Sequence, residues 1–182
     1  MAPGYVFRPL TAADLPLIQR WLALPHVREW WGDPLQQYAL VSSDLDEPAM
    51  DQYIFSRAGD SFGYLQCYDL TEWNTGFGPQ PRGTRGIDLF IGEPTMIERG
   101  HGSALIRCFV DNLLQKGTPR VVTDPDPANG RALRAYEKAG FAKDRKVTTP
   151  DGPAFLMVRI AGPLATASRT RPPPAFQRGI GR

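Results

Sequence analysis

Long apolar runs are missing from the 182-residue chain, and with them any stretch of the length a membrane-spanning helix needs. Cysteine and histidine are scarce, two of each. Cys67 falls on an expected strand and Cys108 on an expected helix. They make no disulfide framework, and no His or Asn stands by either as part of a nucleophile system. His26 and His101 lie far apart in sequence without ligand partners, so no metal is expected. Met1-Ala2-Pro3-Gly4-Tyr5 has neither the basic nor the apolar region of an export signal, which predicts a cytoplasmic protein. A strong net charge is also lacking. Residues 163–182 hold four arginines and no acid, so of the overall +2 the other 162 residues carry −2. A mildly acidic domain suits a cationic small-molecule partner better than nucleic acid or a membrane.

What is present reads as one mixed α/β domain over residues 1–162 and a basic, Pro-rich flexible tail over 163–182. Tyr5-Val6-Phe7 is a first strand. Leu15, Ile18 and Leu22 recur at helical spacing up to Pro25. A second helical piece covers His26 to Trp31, stopped by Gly32 and Pro34, and a third covers Leu35 to Val41. Residues 50–57 and 61–68 form a hairpin across Gly59-Asp60. After a Gly/Pro loop, Arg85 to Ile91 is a strand, Gly100 to Gln115 a helix and Arg120 to Thr123 a short buried strand. A helix over Ala128 to Ala139 ends at Gly140, and a hairpin closes the domain across Pro150-Asp151-Gly152. This order predicts a mixed, mostly antiparallel sheet with helices on both faces.

Arg99-Gly100-His101-Gly102-Ser103 stands between a strand and a helix. Glycines there leave backbone N–H groups uncovered at the positive end of the helix, where a diphosphate docks; the plainer reading is a Gly-rich helix start. Asp88 shares its strand side with Phe90, opposite Ile87, Leu89 and Ile91. A carboxylate half-buried in a sheet is costly without a partner, which is either a substrate or a basic neighbour such as Arg85. Asp124 ends the next strand and reads equally as a ligand-binding acid or a helix cap. Asn129 and Tyr136 lie seven residues apart, two helical turns, so both can face one ligand. Adjacent Trp30 and Trp31 point about 100° apart on a helix, so one is core and the other is free to stack on a ring.

The glycine loop, followed by Asn129-x-x-Ala132-x-x-x-Tyr136-Glu137-Lys138-x-Gly140-Phe141, resembles the GNAT acetyltransferases. His26-x-x-Glu29-Trp30-Trp31-Gly32, Gly63-Tyr64, Arg85-Gly86-Ile87-Asp88, Thr123-Asp124-Pro125 and Thr148 to Ala154 narrow the likeness to the aminoglycoside 6′-N-acetyltransferases, over roughly residues 8–160. The resemblance implies the GNAT fold and acetyl-CoA as co-substrate. It places Arg99, Gly100, His101, Gly102 and Ser103 at the pyrophosphate and Asn129 and Ala132 at the pantetheine arm. Leu89, Phe90 and Ile91 would lie along the thioester, with a backbone N–H of Leu89 or Phe90 for its oxygen. Tyr136 would serve as acid for the departing thiolate and Asp88 would accept the proton of the amine. Asp124, Trp31, Trp30, Glu72 and Trp73 would bind an aminoglycoside, although the spacing from Glu72 and Trp73 to Asp88 is shorter than the family's.

Three activities fit the resemblance. The first is direct acetyl transfer to the 6′-amine of an aminoglycoside, by a monomer or homodimer. The second is acylation of a lysine or hydroxylysine amine in siderophore synthesis. The third is acyl-CoA binding without turnover, against which the joint presence of Asp88, Asp124 and Tyr136 argues.

Overall fold

In the computed structural model, which describes residues 4–73 and 76–162, seven strands form one sheet. They are β1 (Tyr5–Pro9), β2 (Met50–Arg57), β3 (Asp60–Asp69), β4 (Arg85–Ile91), β5 (Arg120–Thr123), β6 (Ala142–Thr149) and β7 (Gly152–Ile160), in the order β1-β2-β3-β4-β5-β7-β6. Every neighbouring pair is antiparallel except β4 with β5, as expected of a mixed, mostly antiparallel sheet. The helices are α1 (Leu15–Leu22), α2 (Pro25–Trp31), α3 (Pro34–Ser43), α4 (His101–Gln115) and α5 (Gly130–Lys138).

Strand alternation sorts the core into two layers. Phe55, Leu65, Cys67, Ile87 and Val121 point to one face and are covered by Leu105, Ile106, Phe109 and Val110 of α4 and by Leu133 and Tyr136 of α5. The opposite face carries two separate clusters. Ile54, Tyr64 and Phe90 pack under Ile18, Trp21 and Leu22 of α1, Val27 of α2 and Val41 of α3. Met50, Tyr68, Val122 and Leu156 pack under Leu70 and Phe77 of the loop before β4. Between these clusters the registered positions Gln52, Gln66 and Asp88 form a polar row across β2, β3 and β4.

Several boundaries differ from expectation for local physical reasons. Pro25 and Pro34 each open a helix at its first position, where a missing N–H costs nothing, instead of only closing the one before. The Asp33 carboxylate caps α3 by accepting from the backbone N–H of Leu35 and Gln36. The turn between β2 and β3 is Ala58-Gly59, both at positive φ, and not Gly59-Asp60. Helix α5 starts two residues later than expected because Asn129 caps it, its Oδ1 accepting the Ala132 N–H at 3.0 Å. The expected tail over 163–182 lies outside the described residues.

Candidate active site

Strands β4 and β5 pair over only two positions, Arg85 with Val121 and Gly86 with Val122. Beyond them the strands part, and among the described residues the β5 side of β4 from Ile87 to Ile91 has no ladder partner. The gap opens into a groove of about 410 Å³. Leu89, Phe90 and Ile91 line it from β4, and Asn129, Ala132 and Tyr136 line it from the α5 end. Gly100, Gly102 and Ser103 line it at the start of α4, and Trp30 and Trp31 from α2.

At the α4 start, Gly100 adopts φ +79° as the residue before the first helical turn, a conformation that excludes most side chains. A Cβ on Gly100 would meet nothing within 4 Å, so the space beside its backbone is open. A Cβ on Gly102 would lie 3.8 Å from that of Ala135, in the seam between α4 and α5. Uncovered backbone donors, a helix N-terminus and a long slot beside an unpaired strand edge fit a thioester carrier with a diphosphate. Asn129 fits too: its oxygen is taken by the cap, which leaves its amide N–H donors for a ligand.

Two residues of the expected loop do not line the groove. The His101 side chain is buried on the far side, its Nδ1 2.8 Å from the Tyr5 hydroxyl and its ring against Phe62. The helical turn that sets Gly102 toward α5 sets this ring into the core. Arg99 is exposed and does not line the groove.

Asp88 and Asp124 stand past the point where β4 and β5 part, and both charges act on Tyr136 at the groove wall. Asp88 Oδ2 accepts from Gln66 Nε2 at 3.0 Å, and the Tyr68 hydroxyl also hydrogen-bonds this carboxylate. Gln66 is itself held, its Oε1 accepting from the Tyr64 hydroxyl at 3.1 Å. Tyr68 reaches Asp88 across Gly86, where a Cβ would come within 2.2 Å of the tyrosine ring. Arg85, the alternative partner for Asp88, instead pairs with Asp51 and donates to the Cys67 carbonyl. Nor is Asp124 the cap of α5, since Asn129 is.

Burial, against the two hydrogen bonds, lifts the Asp88 carboxyl to about 6. Burial together with the charges of Asp88 and Asp151 lifts Asp124 to about 8. Asp151, exposed at the β6–β7 turn, is thus a third carboxylate facing this point. Among the described residues no ion pair engages any of the three. Burial and the same carboxylates push the Tyr136 phenol well above its ordinary range, while Thr123 hydrogen-bonds it. The phenol therefore stays protonated.

Trp31 packs its ring edge-on to Phe90 at 4.9 Å and to Tyr64 at 5.9 Å, and is the more firmly seated of the tryptophan pair. Trp73 packs on the cluster behind Asp88 and Glu72 is exposed; neither lines the groove. Sequence reasoning missed Gln66, Tyr68 and Asp151 as site residues, along with His26, whose Nε2–H donates to the Ile91 carbonyl at 3.0 Å. The register of β3 against β4 is the signal that joins Gln66 to Asp88.

A profile of the acetyltransferase (GNAT) domain matches residues 11–149. The chain belongs to the GNAT acetyltransferase family. Within that family it is 36% identical over 164 residues to the aminoglycoside N(6′)-acetyltransferase type 1 of Klebsiella pneumoniae, covering 84% of this chain and 81% of the relative. The structure of AAC(6′)-Ib with coenzyme A and kanamycin superposes with a TM-score of 0.76 at 34% identity, covering 86% of this chain and 95% of that one. That of AAC(6′)-Ib with paromomycin and acetyl-CoA has the same score and identity, over 86% of this chain and 93% of its own. Among the described residues of this GNAT domain, no group of three or more His, Cys, Asp or Glu is placed to hold a metal ion. Among the described residues no helix is long and apolar enough to cross a membrane.

Proposed function

We propose that this GNAT enzyme acetylates the 6′-amine of aminoglycosides, with acetyl-CoA and the drug bound together, in the cytoplasm. The observation that carries the reading is the set of half-buried Asp88 and Asp124 with exposed Asp151, none in an ion pair among the described residues, beside Tyr136 on the wall of a groove that suits a thioester carrier. Carboxylates gathered without a counter-charge either hold protons or bind a positive ligand, and a polycation is the ligand that their chemistry suits.

Acetyl-CoA, when bound, supplies an acetyl group activated as a thioester. Gly100, Gly102 and Ser103 would hold its diphosphate through backbone donors, with Asn129 and Ala132 beside the pantetheine arm. A backbone N–H on the unpaired edge of β4, from Leu89 or Phe90, would donate to the thioester oxygen as negative charge develops there. On the acceptor side, Asp124 and Asp151 bind ammonium groups of the drug, and Trp30 and Trp31 offer a face to a sugar ring. Trp73 stands on the same sheet face, packed on the cluster of Met50 and Tyr68. Asp88, fixed by Gln66 and Tyr68, accepts the proton that the attacking amine must lose to become nucleophilic. Tyr136 presents a protonated phenol to the departing sulfur and stabilises its charge by a hydrogen bond.

Thiol release from acetyl-CoA tests the reading directly. Kanamycin should support turnover, while an aminoglycoside with a hydroxyl at the 6′ position, hydroxylysine and a basic peptide should not. Turnover confined to hydroxylysine would make this a lysine-type acylase. Acyl-CoA binding with no acceptor turned over would make it a binding module.

A further inference from the structure

Along α5 the residues that line the groove are graded by chemistry. Tyr136, Ala132 and Ala135 form its inner wall, and Arg131, Arg134 and Lys138 its outer rim. Helical geometry explains the grading. Arg131 is one turn before Ala135, Arg134 adjoins it and Lys138 follows three residues later, so the three cations surround one side of that alanine. Ala135 is also the residue that faces Gly102, at 3.8 Å from where a Cβ would stand. The cationic rim is therefore next to the start of α4, where the diphosphate docks. All three side chains are exposed, and none forms an ion pair among the described residues. Glu98 is the only carboxylate among the described residues lining the groove.

Backbone N–H groups at Gly100 to Ser103 serve a diphosphate, and these cations, across Ala135 from Gly102, stand beside it to serve a further anion. We propose that Arg131, Arg134 and Lys138 form a subsite for a ribose phosphate monoester, the 3′-phosphate of coenzyme A. The proposal rests on the groove being the coenzyme site. A phosphate monoester near neutral pH approaches two negative charges. Guanidinium forks match its oxygens in pairs, and a lysine ammonium adds a mobile point charge. The subsite makes the enzyme select the phosphorylated coenzyme over its 3′-dephospho form. It does so by binding, far from the acetyl group, and so without changing the chemical step.

Calorimetry with coenzyme A and 3′-dephospho-coenzyme A, on the full chain and on the triple variant Arg131→Gln, Arg134→Gln and Lys138→Gln, tests this. The three positions are exposed, so the variant should fold. The unaltered protein should bind coenzyme A about tenfold or more tightly than the dephospho form, the scale of a few exposed ion pairs acting together. In the variant this preference should fall to about twofold or less, with dephospho-coenzyme A bound as before. Equal binding of both ligands by the unaltered protein would overturn the subsite and leave the coenzyme site standing. A variant that loses both ligands equally would also overturn it, since the cations would then hold the diphosphate. Failure of both ligands to bind the unaltered protein would overturn the coenzyme site itself.

Discussion

At Asp88, burial raises the carboxyl while the hydrogen bonds from Gln66 and Tyr68 lower it, and the balance is about 6. A donor to the ionised form favours that form, so removing one raises the pKa further. Gln66→Leu should therefore move the acid limb of kcat/KM for kanamycin to higher pH, with kcat on the high-pH plateau little changed. An unmoved limb would mean that Gln66 only packs. Asp124 has a consequence for stability. Its folded-state pKa of about 8 lies above the ordinary carboxylate value, so the folded protein binds this proton more tightly than the unfolded chain. Stability from this group is full below the ordinary carboxylate pKa and is lost as pH rises towards 8. Asp124→Asn should thus raise Tm at pH 8, by an amount on the order of a few degrees, and change it little at pH 4. A Tm lowered at pH 8 would contradict the picture of an uncompensated buried acid. Asp88 and Tyr136 were legible because an aspartate within a strand is costly and because the tyrosine closes a recognisable helix motif. Gln66 was not, since an amide on a strand carries no pattern of its own and acquires its role only from the register with β4.

At the scale of elements, the site depends on two devices: a parallel strand pair that stops after two positions, and a helix start without side chains. The extents of β4 and β5 match those expected from sequence, but their parting does not follow from either strand alone. It requires the polar row to be seen beside the paired residues. Prolines misled for a related reason. Pro25 and Pro34 satisfy the rule for ending a helix and equally the rule for beginning one, and only the extended backbone of Leu24 and Asp33 decides between them. His101 was read with its glycine neighbours, yet helix periodicity turns its ring into the core beside Tyr5 and Phe62. The helix start gives a sharp test. Gly100→Glu or Gly102→Glu places a negative side chain where the diphosphate would lie, and affinity for acetyl-CoA should fall at least about tenfold while the circular dichroism spectrum is retained. Unchanged affinity in both variants would remove the coenzyme from this end of the groove.

The whole molecule brings three carboxylates to one point from segments far apart in the chain: the middle of β4, the end of β5 and the β6–β7 turn. Apolar clusters on either side hold the polar row in place, and Tyr136, on which Asp88 and Asp124 act, joins it to the groove wall. Attraction between several opposite charges weakens with salt, so KM for kanamycin should rise as ionic strength rises, more steeply than for an acceptor with one amine. The central claim is that these acids bind the drug and that Asp88 takes its proton. Steady-state kinetics of Asp88→Asn and Asp124→Asn with kanamycin, at pH 8 and saturating acetyl-CoA, test it most directly. Asp88→Asn should lower kcat by about a hundredfold or more, the scale of a lost general base. Asp124→Asn should act chiefly on KM, raising it roughly tenfold or more through loss of a charge-assisted hydrogen bond. Kinetics indistinguishable from the unaltered enzyme in both variants would contradict the account.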